Sequence, residues 1–390
     1  MRSFLTLFGA AVCLFFSGCS LGERDVNQPV KIGVILPLTG PDSECGKNML
    51  RGVRCARAAL SMQDGATLIP ELLTGDNRGL PEDTRLAALS MIQQGAAALI
   101  VGYSSQEALA VKSLAAEYQI PVITPGGSND RITENNPYMF RVNFSDRQQA
   151  KLLASYARHV RRMGRMAVML NLDENAVYSR DLGRQTAQAF ADYGGDIIAA
   201  VGFRETDTDF SGAVQELLRD VPDVIFVPAF PACAAKIIRA LRQGGFKGLI
   251  LGGDSWYSEE LLRECGDPGD AVLGSIYAAD GPGVSRQGFY KLFAERNHCP
   301  PTESDVLGYD AMILAATGVM GTRNSQEALE KFARIREFRG ALGNIPLEKN
   351  GNVLRKAYMS KLVYQAPGPA QFRYETVMQP EPPQLPDELR

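Results

Sequence analysis

The chain has 390 residues, 45% of them hydrophobic, and its 41 basic and 44 acidic side chains leave a net charge of −3. That balance lacks the basic footprint of a nucleic-acid binder, so no nucleic-acid partner is expected. So long and so apolar a chain buries a real core and exceeds what one core usually serves, which predicts two lobes.

The N-terminus reads Arg2, an apolar stretch LTLFGAAVCLFF from Leu5 to Phe16, then Ser17-Gly18-Cys19, the pattern of a secretory signal ending in small residues. An apolar stretch of about a dozen residues is shorter than the roughly 20 of a membrane-spanning helix. FSGC resembles the lipobox of bacterial lipoproteins, in which cleavage leaves the cysteine as a lipidated N-terminus. Residues 1–18 are then removed, Cys19 is lipidated, and 19–29 form a polar tether to the membrane. Ordinary secretion is the other reading.

From Val30 apolar runs alternate with amphipathic stretches. VKIGVILPL predicts a strand, and Met49, Val53, Ala56 and Leu60 then recur at helical spacing. ATLIPELLT is the next strand, Pro81 opens a helix and Gly95 closes it. Strand AAALIV, helix EALAVKSLAAEY and strand IPVIT complete a set that implies a parallel sheet covered on both faces. A second array begins at Ser145, which forms a capping-box signature with Gln148 for the helix QQAKLLASYARHV. Strands RMAVMLN, DIIAAVGF, DVIFVPA and GLILGG alternate with helices near 179–193, 210–219, 231–243 and 258–264. A strand AVLGSIYA follows, then helices near 286–297 and 304–320 that lack strands of their own and are predicted to return to the first lobe. Asn350-Gly351 marks a tight turn between strand-like runs.

The fold class is α/β, two doubly wound parallel-sheet lobes joined by a three-segment hinge. Lobe 1 is expected to hold 30–145 plus 281–342, and lobe 2 to hold 146–280 plus 343–366. Crossovers near 143–146, 279–283 and 341–346 are the expected hinges, with Gly281 and Gly283 suited to torsional change. The proline-rich tail, 367–390, is expected to be poorly ordered.

Once Cys13 leaves with the signal and Cys19 is lipidated, Cys45, Cys55, Cys233, Cys265 and Cys299 remain, with no CxxC for zinc or redox chemistry. A helix between Cys45 and Cys55 would hold them about 15 Å apart, beyond the roughly 7 Å limit of a disulfide. Cys265 with Cys299 is the first pair to test, and an odd count leaves at least one thiol free.

Serine catalysis needs a base, and the chain has only His159 and His298, both read as surface or capping residues. GYSSQ at 102–106 is not G-x-S-x-G. GPDSECGKN at 40–48 misses the phosphate-loop spacing and its hydroxyl, and GPGVSRQG at 281–288 misses the dinucleotide spacing. No enzyme constellation survives, and neither a metal nor a cofactor is expected.

In an open parallel sheet, ligands collect where strands end and helix N-termini point at the crevice. Ser104, Ser105 and the segment TPGGS at 124–128 occupy that edge, and hydroxyls there can donate to a carboxylate. The bland alternatives are that Ser104 and Glu107 form a plain capping box and that Ser128 and Asn129 form a turn.

KIGVILPLTGPDSECGKNMLRG, GYSSQEAL, IPVITPGGS, NPYMFRV, DFSGAVQELL, LGGDSWYSEELL and GYDAMILAA are each degenerate, but their order and spacing together carry a specific likeness. Over roughly 30–365 the chain resembles a type I periplasmic binding protein of the leucine/isoleucine/valine-binding family, the receptor component of an ABC importer. The resemblance implies an amino acid held between two lobes, delivered to a membrane permease by a monomeric receptor on the periplasmic side of a bacterial membrane. Position by position it implies that Ser105, with Ser104 adjacent, binds the ligand carboxylate. Gly126 and Ser128 would offer a backbone carbonyl and a side-chain oxygen, Tyr178 and Phe230 the second lobe's aromatics, and Asp254 the partner of the ligand ammonium. Cys45 stands where the family often has an aromatic, and Phe230 lacks a tyrosine's hydroxyl, so the pocket departs from the pattern around the ligand side chain. Asp254 could instead cap the following helix. Trp256 either lines the mouth or packs in the core, and Tyr103 is a further candidate. The rival functions are a sensor of the same fold for an amide or aromatic solute, an envelope hydrolase, and a scaffold whose cleft binds nothing.

Overall fold

The computed structural model describes residues 24–62, 68–174, 176–278, 288–364 and 368–380. The expected signal segment, Cys19, Gly281 and Gly283 lie outside these residues. Among them, no helix is long and apolar enough to cross a membrane.

The first half of the chain builds β1 (Lys31–Leu36), α1 (Ser43–Ser61), β2 (Glu71–Asp76), α2 (Pro81–Gln93), β3 (Ala96–Val101), α3 (Ser105–Ala110), α4 (Lys112–Glu117), β4 (Val122–Thr124) and β5 (Met139–Arg141). The five strands form one parallel sheet in the order β2-β1-β3-β4-β5. Every residue of β3 is buried, as its unbroken apolar run requires of a strand covered on both faces. Pro81 occupies the first turn of α2, where its missing N–H costs nothing.

The chain then crosses to a second sheet through α5 (Asp146–Ser155), whose cap is Ser145 Oγ accepting the Gln148 N–H at 3.2 Å. There follow β6 (Arg165–Asn171), α6 (Val177–Asp192), β7 (Asp196–Phe203), α7 (Ser211–Leu218), β8 (Val224–Val227), α8 (Pro231–Gln243), β9 (Leu249–Gly252), α9 (Glu259–Glu264) and β10 (Ala271–Ser275). Next come α10 (Phe289–Asn297), α11 (Glu303–Val319), α12 (Ser325–Arg334) and a hairpin of β11 (Glu337–Gly340) with β12 (Gly343–Pro346). The chain ends on β13 (Ala357–Val363) and β14 (Gln371–Met378), giving a second sheet in the order β14-β13-β10-β9-β8-β6-β7. Its two final strands run antiparallel.

The helices after β10 return to the first lobe, as the sequence predicts, and α11 lies against α1. Their backbones meet at two glycines: a Cβ on Gly308 would stand 2.0 Å from the Met49 carbonyl oxygen, and one on Gly52 2.0 Å from that of Asp305. Arg51 clamps the crossing, with Nε and Nη2 donating to the two oxygens of Asp305 at 3.0 and 2.8 Å. The segment beyond β12 is tied to the first crossover, because buried Arg355 donates to the Val142 carbonyl at 2.7 Å and pairs with Asp310 of α11 at 2.5 Å.

Three expectations are corrected. The chain makes a hairpin at 341–346, where a crossover was expected, and joins the larger sheet only at β13. The tail is ordered through β14, whose Phe372 stacks on Tyr257 at 4.5 Å and whose Glu375 accepts the Tyr156 hydroxyl at 2.8 Å. Cys265 and Cys299 are both free, as are the other described cysteines. Cys265 is sealed at the end of α9 in the larger lobe's core, whereas Cys299 packs against the other core cluster.

On the larger lobe, Glu205 ties three strand ends together. Its Oε1 accepts Asn171 Nδ2 at 3.0 Å and the Phe230 N–H at 3.2 Å. Burial pushes its carboxyl up to about 7. Two outcomes follow from this packing. Gly308→Val drives a side chain into the α1 backbone and lowers stability by about 1–3 kcal/mol, read as a fall in the urea midpoint. Glu205 holds its proton more tightly folded than unfolded, so its contribution is complete below about 4.5 and is lost as pH rises through about 7. Urea unfolding of Glu205→Gln should therefore show it gaining on the parent chain between pH 5 and pH 8, by on the order of 2 kcal/mol.

Candidate functional site

The chain leaves β3 and reaches the N-cap of α3 at Ser104. That hydroxyl is engaged locally, donating to Glu107 Oε1 at 3.1 Å and accepting the Glu107 N–H at 3.4 Å. Glu107 also receives the Tyr103 N–H at 3.0 Å, which fixes the loop. Ser105 is placed differently. Its buried Oγ accepts the N–H groups of Ser128 and Asn129 at 3.3 and 3.2 Å, leaving its own proton to donate.

The loop after β4 meets this one closely, for a Cβ on Gly126 would stand 2.0 Å from the Tyr103 carbonyl oxygen. Any side chain there would force the two strand ends apart. Ser128 is buried here, and its hydroxyl can both donate and accept. Behind the wall, fully buried Arg141 donates to the Ser128 carbonyl and, at 2.7 Å, to that of Asn129. The fork spans two successive carbonyls and sets the loop's register.

Across from these serines, Asp254 stands in a short turn after β9. Its Oδ1 accepts Tyr178 Oη at 2.8 Å, and its Oδ2 accepts Asn143 Nδ2 at 2.9 Å. Phe230 tilts against Tyr178 with ring centres 5.6 Å apart. Asp254 is therefore held by two neutral donors, and the following helix α9 is capped by Ser258, whose Oγ accepts the Leu261 N–H at 3.2 Å. The helix-cap alternative for Asp254 falls away.

Cys45, Tyr103, Ser104, Ser105, Gly126 and Ser128 of the first lobe and Tyr178, Phe230 and Asp254 of the second line one cleft. Trp256 does not. Its indole is fully buried in the larger lobe, with Nε1 donating to the Ala229 carbonyl at 3.2 Å, over Gly252, where a Cβ would stand 2.1 Å from the ring. An indole with room beneath it and a carbonyl for its N–H is stable in a core.

The cleft also takes in Asn143, Ser255, Tyr257, Ser258, Glu303, Ser304 and Leu307, none of which was picked out from sequence. Ser255 and Ser258 sit inside the quoted run LGGDSWYSEELL, so proximity to Asp254 was an available signal. Glu303 and Ser304 come from α11, about 50 residues further on, and only the return of that helix brings them in.

Electrostatically the lining is one-sided. It holds two carboxyl groups, Asp254 and Glu303, and among the described residues no Lys, Arg or His. Burial, with Asp254 nearby, pushes Glu303 well above the usual carboxylate range. Burial likewise raises the Tyr103 and Tyr178 phenols and moves the Cys45 thiol up to about 11, so all three are neutral hydrogen-bonding groups. His159 packs edge-on against Tyr193, and His298 ends α10 with φ +56°, so neither lines the cleft.

The profile of the periplasmic binding protein family matches residues 29–366. A curated relative, Leu/Ile/Val-binding protein homolog 2 of Brucella abortus, is 22% identical over 334 residues, spanning 85% of this chain and 89% of its own. The crystal structure of the leucine-binding protein LivK from Thermotoga maritima superposes with a TM-score of 0.79 at 28% identity, covering 90% of this chain and 99% of that one. Two more distant structures share the fold. LivJ of Streptococcus pneumoniae, in complex with isoleucine, has a TM-score of 0.75 at 22% identity and covers 89% and 100%. A solute-binding protein of an ABC transporter from R. palustris, in complex with benzoate, has 0.75 at 21% and covers 90% and 97%. Both family and fold are those of solute-binding proteins and not of enzymes. Two α/β lobes around one polar cleft, and a profile match across nearly the whole chain, make this protein a member of the periplasmic binding protein family, in the type I form of the leucine/isoleucine/valine-binding proteins.

Proposed function

We propose that the chain captures an α-amino acid in its cleft and delivers it to the permease of an ABC importer. The observation that carries this reading is the charge of the lining: a fixed carboxylate, Asp254, faces a free hydroxyl, Ser105, with no cationic side chain among the described lining residues. A zwitterion complements that arrangement. Its ammonium pairs with Asp254 and finds acceptors in Ser128 Oγ and the Gly126 carbonyl, while its carboxylate takes the Ser105 proton.

Charge-assisted hydrogen bonds contribute about 1.5–3 kcal/mol each, and micromolar affinity needs about 8 kcal/mol, so three or four such contacts suffice without a cofactor. An aromatic acid of the kind bound by the R. palustris protein would bring a second negative charge to Asp254 with no cation to offset it, which disfavours that reading here. A sensor would use the same cleft and differ in what reads the closed shape.

The mechanism is a hinged clamp. The ligand docks on the first lobe, and closure adds Tyr178, Phe230 and Asp254, so the closed state is favoured by the contacts only it makes. The family places the protein outside the cytoplasm, and we assign Cys19 as a lipid anchor on the FSGC motif alone.

A thermal-shift screen should show amino acids raising the melting temperature and benzoate leaving it unchanged, since a ligand at 100 times its Kd adds about 2.7 kcal/mol. Asp254→Ala should weaken amino-acid binding about 10- to 100-fold in calorimetry. An undiminished response in that variant would overturn the assignment of the ammonium partner.

A further inference from the structure

A carboxyl group that the ligand head group does not need stands in the same cleft. Glu303 opens α11, is 7% exposed, and lines the cavity. One of its oxygens, Oε1, accepts the Ile276 N–H at 2.8 Å. Its second oxygen has no hydrogen-bond partner among the described residues. The cation that acts on it, Arg355, is already committed to Asp310 and to the Val142 carbonyl. Burial disfavours the charged form of this carboxyl, and a carboxyl left open toward a cavity needs a polar partner from whatever fills it: a cationic nitrogen that draws its proton off, or a carboxamide that accepts its O–H while donating an N–H in return.

The head-group contacts come from the loops after β3 and β4 and from Asp254. Glu303 comes from another element, α11, beside Ser304, Leu307 and Cys45, the residue where the chain departs from its family's aromatic. The apolar wall expected for a branched aliphatic side chain is therefore interrupted by an acid. We propose that Glu303 reads the ligand's side chain, and that the cleft selects amino acids whose side chain ends in an N–H donor, a carboxamide or a cationic nitrogen, over leucine, isoleucine and valine. This rests on the reading of the cleft as an amino-acid site. A methyl group against the open oxygen would leave it buried and unpaired, and sites built to hydrogen-bond a substrate group reject analogues lacking it far more strongly than apolar pockets reject a missing methylene.

The test is calorimetry on the full chain with glutamine, asparagine, lysine and arginine against leucine, isoleucine and valine. A donor-bearing amino acid should bind at least tenfold more tightly than any of the three aliphatic ones. Glu303→Leu should cut its affinity tenfold or more while leaving or improving that of leucine. Glu303→Gln keeps the size and an acceptor for Ile276, so it guards against a folding defect. It also separates the two donor chemistries: lysine or arginine should lose much more than glutamine or asparagine if the native partner is cationic. Aliphatic amino acids binding as tightly as the others, with Glu303→Leu selecting no differently, would overturn this inference and leave amino-acid capture standing. No binding by any amino acid would sink both.

Discussion

The carboxylate of Asp254 is oriented by hydrogen bonds but not neutralised by the protein. Tyr178 and Asn143 each give it one neutral donor, so both oxygens are fixed in direction while the charge stays available. An arginine in either place would have quenched the site internally, since a close ion pair favours the charged forms of both partners and leaves little for a ligand. The chain has a suitable arginine close by, Arg141, but spends its guanidinium on the carbonyls of Ser128 and Asn129 behind the wall. The positive group thus shapes the loop, and the negative group lines the cleft.

That division depends on backbone approaches that only glycine allows. Gly126 lets the loop after β4 lie on the loop after β3, which is why Ser105 Oγ can collect two N–H groups from the neighbouring loop and keep its own proton for the cleft. Gly52 and Gly308 do the same on a larger scale, letting α1 and α11 cross so closely that the N-terminal turn of α11 reaches the cavity. The first lobe is completed by helices that arrive only after β6 to β10 of the second sheet have been laid down. A residue near position 303 and one near 45 share a wall for this reason, and no local pattern announces it.

This marks how far the site was legible. The strand ends were readable because a parallel sheet writes continuous apolar runs, as in AAALIV, and the hydroxyls and glycines follow them directly. Ser105, Gly126, Ser128 and Asp254 are strand-end residues, and all four line the cleft. Glu303 reads as an ordinary acid in the first turn of a helix, and Asn143 as loop, so their place in the cleft is a tertiary fact. Trp256 shows the converse. Its neighbours face the cleft, but in a short turn the direction of each side chain changes from residue to residue, and its indole goes into the core. In the tail, the alternation of QFRYETVM was masked by the prolines around it, and pairing with β13 supplies what composition could not.

The lobes meet outside the cleft as well, and those contacts bear on closure. Asn129 donates to Asp181 at 2.8 Å, and Gln185 donates to Asp130 at 2.8 Å, both reaching from the first lobe to α6 of the second. Neutral amides again meet carboxylates, so each contact is modest and exchangeable with water. Asn129 also donates to Asp146 at 3.2 Å, and its backbone N–H bonds Ser105. One residue therefore belongs to the ligand wall, to the buried start of α5 and to the interlobe contact at once. A ligand that orders the Ser105–Ser128 wall also orders Asn129, and an ordered Asn129 is better placed for Asp181. In the proposed clamp, the bias toward closure would come from contacts the ligand makes in both lobes together with one it favours at the rim, which is the differential interaction that a two-state clamp requires.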